Sequence, residues 1–178
     1  MSDADLAVRA AAGDGDAFGQ LVDRHAPAAR RVARALLQNP EDADDAVQDA
    51  FLLAWRHLDR FDPTRPFAPW FMRIVTNAAA DLRRRRRVRR TEALPETAPS
   101  RQASPETETD RVLLHRRLQE ALARLPERQR IAVTLFDAEG YEHAEIAEIV
   151  GVPVGTVRSD VFHARRALRL ALKPFHEG

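Results

Sequence analysis

Residues 145–172, EIAEIVGVPVGTVRSDVFHARRALRLAL, decide the fold. They spell a short amphipathic helix, a turn and a longer helix rich in arginine. Ile146, Ala147, Ile149 and Val150 form the apolar side of the first helix. Gly151 ends it, because glycine takes positive φ without a Cβ penalty. Pro153 in the opening turn and Thr156 as a capping hydroxyl are the start signals of the second helix. Val157, Val161, Ala164, Leu168 and Leu172 recur at helical spacing and face inward. Arg158, Ser159, Phe162, His163, Arg165, Arg166 and Arg169 are left outside. A glycine turn followed by a helix with a basic outer edge is what a helix-turn-helix needs to enter a major groove. An ordinary helical hairpin with a solvated basic face has the same pattern, so the rest of the chain must decide.

Composition narrows the field. The 178 residues suffice for one ordinary domain or two small ones. Net charge is +1, from 28 basic and 27 acidic side chains, so the whole molecule exerts no pull on a polyanion. Nearly every base is arginine, the exception being Lys173. Arginine forks onto phosphates and guanine edges, although genomic base composition produces the same bias. The absence of cysteine excludes disulfides, thiol catalysis and cysteine-ligated zinc. No two of the six histidines stand three to five residues apart, so a helix-borne metal pair is absent and no metal or cofactor is expected. The start carries two early aspartates and no apolar run, unlike a signal peptide. No stretch approaches the roughly 18 apolar residues needed to span a bilayer, and the chain reads as cytoplasmic.

Along the chain one break is plain. Residues 91–109 hold three prolines, four threonines, two serines and four glutamates, with no aromatic and one leucine. Such a segment cannot bury enough apolar surface to offset its ordering entropy and reads as a flexible linker. It divides residues 1–90 from 110–178. In the first part Phe18, Leu21, Val22, His25, Ala29, Val32 and Leu36 keep one apolar stripe, which Pro27 should kink or split. Asn39-Pro40 caps a second helix whose early acids suit its positive end. Residues 61–69, with three prolines, read as an ordered loop. From Trp70 a third helix carries Phe71, Ile74, Val75, Ala78 and Leu82 into a tract of arginines, Arg83 to Arg87, then Arg89 and Arg90. In the second part Leu114, Leu118, Leu122 and Leu125 mark one helix, and Pro126 opens another that Gly140 ends. No strand period occurs, so the fold is expected to be all-α: two small helical domains, the second containing the helix-turn-helix.

Taken together these residues resemble an extracytoplasmic-function sigma factor of the major bacterial sigma family. The resemblance rests on Asp44-Asp45-Ala-Val-Gln48-Asp49-Ala-Phe51 with Trp55, the Phe67-to-Trp70 loop, and Ile74-Val-Thr-Asn77. Leu125-Pro126-Glu127-Arg128-Gln129-Arg130 and Val154-Gly155-Thr156-Val157-Arg158-Ser159 complete it. It implies that 1–90 is sigma region 2, for polymerase binding, −10 recognition and melting, and that 110–178 is region 4, for −35 recognition. The implied partners are core RNA polymerase, through the β′ clamp helices and the β subunit, promoter DNA and an anti-sigma factor.

Each patch also has its own chemistry. Asp42, Asp45 and Asp49 share one helix side with Gln48, which by itself could be only a solvated, dipole-satisfying helix start. As Mg²⁺ ligands they would lack a phosphate-binding loop or nucleophile. By resemblance Asp45, Gln48 and Asp49 meet the polymerase, while Val47, Phe51 and Ala54 pack inside. Holding melted DNA needs apolar walls and a polar base reader. The resemblance supplies Phe67, Trp70 and Asn77, and Arg83, Arg84 and Arg85 meet nearby phosphates, since so dense a cluster repels itself unless a polyanion neutralises it. It assigns −35 reading to Arg158, Ser159, Phe162 and His163, with Arg165 and Arg166 nearer the phosphates. Arg158 can fork onto guanine and Phe162 can touch a thymine methyl. Asp160 and His163 depart from the family's basic residues; an aspartate there would accept from cytosine and repel phosphate. The expected function is promoter-specific initiation by a non-catalytic polymerase subunit. The alternative is a free-standing helix-turn-helix regulator, which leaves the Gln48 face and the Trp70 loop unexplained. A nucleic-acid-processing enzyme lacks any catalytic constellation. With the sequence stopping at Gly178, no further C-terminal regulatory domain is expected.

Overall fold

A short helix outside the anticipated stripes opens the chain. In the computed structural model, which describes residues 1–92 and 109–173, α1 spans Asp3–Ala11. Ser2 caps it reciprocally: the Asp5 amide donates to the Ser2 hydroxyl (3.1 Å), and the Ser2 amide donates to the Asp5 carboxylate (3.0 Å). Leu6, Ala7 and Ala10 are buried where α1 packs on α2 (Gly15–Leu37). The expected split of α2 at Pro27 does not occur. Pro27 lies on the exposed side, and the carbonyl that loses its donor is that of Asp23, itself exposed to water. Buried Leu21, Ala26, Ala29 and Val32 hold the helix on both sides of it.

Gln38, at φ +53, turns the chain into α3 (Pro40–His57). Asn39 caps α3 as expected, its side-chain oxygen accepting from the Glu41 and Asp42 amides (2.9 and 3.1 Å). A 3₁₀ turn, Leu58–Arg60, leads to a loop shorter than anticipated, because α4 (Phe67–Glu92) begins at Phe67. Pro69 is tolerated there because amides in a first helical turn have no intrahelical acceptor. α4 also continues two residues past the boundary at 90. The linker expectation falls mostly on residues 93–108, which lie outside the described residues.

The second half comprises α5 (Asp110–Arg124), α6 (Glu127–Val133), a π turn (Thr134–Ala138), α7 (His143–Val150) and α8 (Val154–Leu172). Leu122 and Leu125 are buried, but Leu114 is 40% exposed. Gly140 and Gly151, at φ +73 and +77, close their helices as predicted. Thr156 is no cap. It is the third residue of α8, and its amide donates to the Pro153 carbonyl (3.0 Å). Pro153 stands just before the helix rather than inside it.

The described residues contain helices and turns and no strand, confirming the all-α class. The halves are docked on one another. Ile131, Leu135, Ile146 and Ile149 belong to the same buried cluster as Leu21, Val32, Phe71 and Val75. The Arg31 guanidinium adds a fork onto Glu139 (2.9 and 3.1 Å), whose side chain is nearly buried. Each half alone is near the lower size limit for a stable core, and docking enlarges the apolar area both bury.

Candidate nucleic-acid and polymerase interface

On α3 the helical period sends Val47 and Ala54 into the core and leaves Asp45, Gln48 and Asp49 exposed, as their sequence spacing predicts. Phe51 is half-buried, stacked on Phe71 with ring centroids 4.5 Å apart. Asp42 is withdrawn from this face: it accepts from Arg86 on α4 at 2.7 Å. Beside Gln48 runs an apolar groove of about 450 Å³ lined by Phe18, Val22, Phe51, Leu52 and Trp55. Leu52 and Leu53, large apolar residues outside the core-facing stripe, were the sequence signal for an apolar outer face here.

The aromatic group at the start of α4 divides. Phe67 is 3% exposed, wedged among His25, Phe61, Trp70 and Phe71 at centroid distances of 5.1 to 5.9 Å. It is a core residue, and the expectation that it walls a DNA strand is corrected. Its place in the first turn of α4 sends it inward with Phe71, one turn on. Trp70 is half-buried at a cleft of about 250 Å³. Arg60, Phe61, Arg65, Pro69 and Arg73 line one wall, and Glu145, Glu148 and Ile149 of α7 the other. Arg65 reaches Glu148 across it at 3.4 Å. Asn77 is exposed on α4.

The arginine tract does not point uniformly outward. Arg83 turns into the seam between the halves, donating to the Leu36 carbonyl (3.0 Å), the Gln38 side-chain oxygen (3.4 Å) and the Ala123 carbonyl (3.4 Å). Arg83, expected on −10 phosphates, is half-buried here because one face of α4 must pack and Arg83 lies on it. Arg84 is exposed, pairs with Asp81 and lies 3.9 Å from Glu127. Arg85 is exposed.

On α8, Val157, Val161 and Ala164 are buried, while Arg158, Ser159, Phe162, His163 and Arg166 are exposed. Phe162 is 57% exposed, a large apolar ring held in water beside the His163 imidazole (5.4 Å). Asp160 overturns its expectation. It is 4% exposed and accepts from Arg128 of α6 at 2.6 and 3.3 Å, so its carboxylate faces the interior and not the outer edge of α8. The same hydrogen bond, then the same charge, raises the Arg128 pKa. Arg165 is engaged: Asp137 accepts from it at 2.9 Å, and its guanidinium sits 4.9 Å from the Phe136 ring centroid. No cluster among the described residues could hold a metal ion, and no described helix is long and apolar enough to cross a membrane.

Comparison with known proteins agrees with this geometry. Residues 21–89 match sigma-70 region 2 and residues 115–168 match sigma-70 region 4. The chain is 39% identical over 177 residues to the ECF RNA polymerase sigma factor SigM of Mycobacterium tuberculosis, covering 99% of this chain and 88% of that protein. It is 37% identical over 176 residues to the RNA polymerase sigma factor CnrH of Cupriavidus metallidurans, covering 94% and 92%. Among solved structures, CnrH in complex with the cytosolic domain of CnrY superposes with TM-score 0.75 at 34% identity, covering 98% of this chain and 99% of that one. RpoE of Bartonella quintana, in complex with the anti-sigma factor NepR, gives 0.69 at 28% identity, covering 88% and 96%. The chain belongs to the extracytoplasmic-function (ECF) sigma factors of the sigma-70 family.

Proposed function

We propose that this sigma factor docks onto core RNA polymerase through Asp45, Gln48 and Asp49 and reads promoters with α4 and α8. The observation that carries the proposal is the pairing, in one chain, of that exposed face on α3 with the outward edge of α8. The polymerase performs the chemistry, and the sigma chain supplies recognition without a catalytic centre of its own. The domain limits are 1–90 for region 2 and 110–178 for region 4, and the site of action is the cytoplasm. On α3, Asp45 and Asp49 meet basic side chains of the β′ clamp helices; region 4 meets the β subunit. On α4, Trp70 offers an apolar wall and Asn77 a donor and acceptor to an extruded base, with Arg84 and Arg85 on phosphates. On α8, Arg158, Ser159, Phe162 and His163 meet −35 base edges and Arg166 the backbone. An anti-sigma factor is a further partner, as it is for the similar RpoE.

Run-off transcription with purified core polymerase tests the whole reading, since a free-standing regulator would not support it. Replacing Gln48 and Asp49 by arginine, which adds a charge at one position and reverses it at the other, is expected to abolish co-purification with core while the helical circular dichroism remains. Charge reversal sets like charges against each other, which costs more than losing a rim pair. Undiminished co-purification of the folded double variant would show that core docks elsewhere.

A further inference from the structure

Where α4, α5 and α6 meet, five arginines gather. Arg83, Arg84 and Arg87 of α4, Arg124 of α5 and Arg130 of α6 line one pocket of about 450 Å³. Glu127 is the carboxylate among its described lining residues, and Asp81 pairs with Arg84 from outside it, so five cations meet two anions. The floor is fixed. Arg130 is 2% exposed and donates to the carbonyls of Leu122 (2.7 Å), Leu125 (2.7 Å), Ala123 (3.2 Å) and Leu36 (3.3 Å). Arg83 shares the Leu36 and Ala123 carbonyls. These acceptors lie at the ends of α2 and α5, where helix dipoles are negative, so they orient the guanidiniums and offset part of their charge, leaving each a net cation. The residual repulsion is visible in their ionisation. Burial, then the charges of Arg83 and Arg87, push Arg130 down to about 10; burial, then Arg87, lower Arg83 as well.

We infer that this pocket binds a small oligophosphate, a compound carrying two or three linked phosphates, and that the docked arrangement of the two halves builds the site. Guanidinium forks fit phosphate oxygens bidentately, and several linked phosphates answer a cluster that one phosphate would leave largely unneutralised. The volume falls within the roughly 300–1,000 Å³ of small-ligand pockets. A duplex backbone would instead track the outer arginines of α4, because the floor arginine is buried. Lining residues come from both halves, so the ligand prefers the docked arrangement and shifts the population toward it. The inference does not depend on which promoter strand α4 meets.

The test uses the full chain and inorganic tripolyphosphate, followed by titration calorimetry and thermal melting. One site per chain is expected, binding at least about tenfold more tightly than orthophosphate, with a raised melting temperature. Reversing Arg87 and Arg124 to glutamate should abolish both effects while the helical circular dichroism is retained. Reversing Arg85 and Arg89, on the same helix but outside the pocket, should leave tripolyphosphate binding within about twofold. Several weak sites per chain, equal losses in both variants, or binding indifferent to Arg87 and Arg124 would each overturn the inference. Run-off transcription by the parent chain keeps its failure distinct from failure of the sigma assignment.

Discussion

Asp160 shows how one inward turn reassigns a residue. Its carboxylate is buried against Arg128, whereas the Arg128 side chain remains half-exposed. The two truncations are therefore unequal. Asp160→Ala leaves a guanidinium that water can still reach, and we expect it to cost about 1–3 kcal/mol of stability. Arg128→Ala leaves a buried carboxylate without its partner and should cost at least as much. Denaturant unfolding measures both. Selection from a library randomised across the −35 element should return the parent's base preferences for Asp160→Ala. Arg158→Ala should behave in the opposite way, costing about 1–3 kcal/mol of binding and flattening preference at one −35 position, with stability unchanged. A changed preference for stable Asp160→Ala would mean that the aspartate reads DNA after all. Asn77→Ala, if its base partner is available only after strands separate, should impair permanganate reactivity on duplex while closed-complex binding persists.

At the scale of elements, α1 was the least legible part of the fold. Nine residues with only Leu6, Ala7 and Ala10 buried give a weak stripe, although Ser2 and Asp5 are a cap signature at the right spacing. The longer helices were readable because each repeats its apolar face over several turns, and Gly151 and Asn39 are residue types their positions require. On α8, the outward set was legible for the same reason. The inward turns of Phe67, Arg83 and Asp160 are not legible in the sequence because each is satisfied by a partner distant along the chain, which spacing alone cannot reveal. α1 is anchored by such partners too. Burial alone would raise the Asp3 pKa, but hydrogen bonds from Arg24 and His25 (2.9 and 2.8 Å) hold it below the usual 3.8. A depressed carboxylate pKa contributes stability above the unfolded value, and that contribution disappears as pH falls through the folded one. Amide exchange within α1 should therefore accelerate below about pH 4, and Asp3→Asn should reduce that acid dependence to the share left by Asp5 in the cap and Asp14 beside Arg9. Exchange that stays independent of pH in the parent, after correction for intrinsic rates, would show that the Asp3 contacts do not anchor α1. Leu6→Ala should cost about 2–5 kcal/mol, because its cavity lies in the core shared with α2.

For the whole molecule, docking of the halves sets the order of events. The cleft beside Trp70 is closed on one side by Glu145 and Glu148 of α7, so a nucleic-acid strand entering from that side meets their carboxylates opposite Arg60, Arg65 and Arg73. Like charges on phosphate and carboxylate oppose entry, and opening the seam must break the Arg31–Glu139 and Arg65–Glu148 pairs as well as expose the shared core. Partner binding that favours separated halves would offset that cost through differential affinity. The chain has no cysteine, so a specific tether is simple to install. With Arg65→Cys and Glu148→Cys joined by a reducible bis-maleimide, the halves are held docked while the outer face of α8 stays free. We expect the tethered protein to lose binding to a −10 single-stranded oligonucleotide and to regain it when the linker is reduced. Either single-cysteine variant, labelled with the same reagent, should bind throughout. Equal binding by tethered and released protein would show that α7 does not shield Trp70, and that the −10 strand enters from another side of α4.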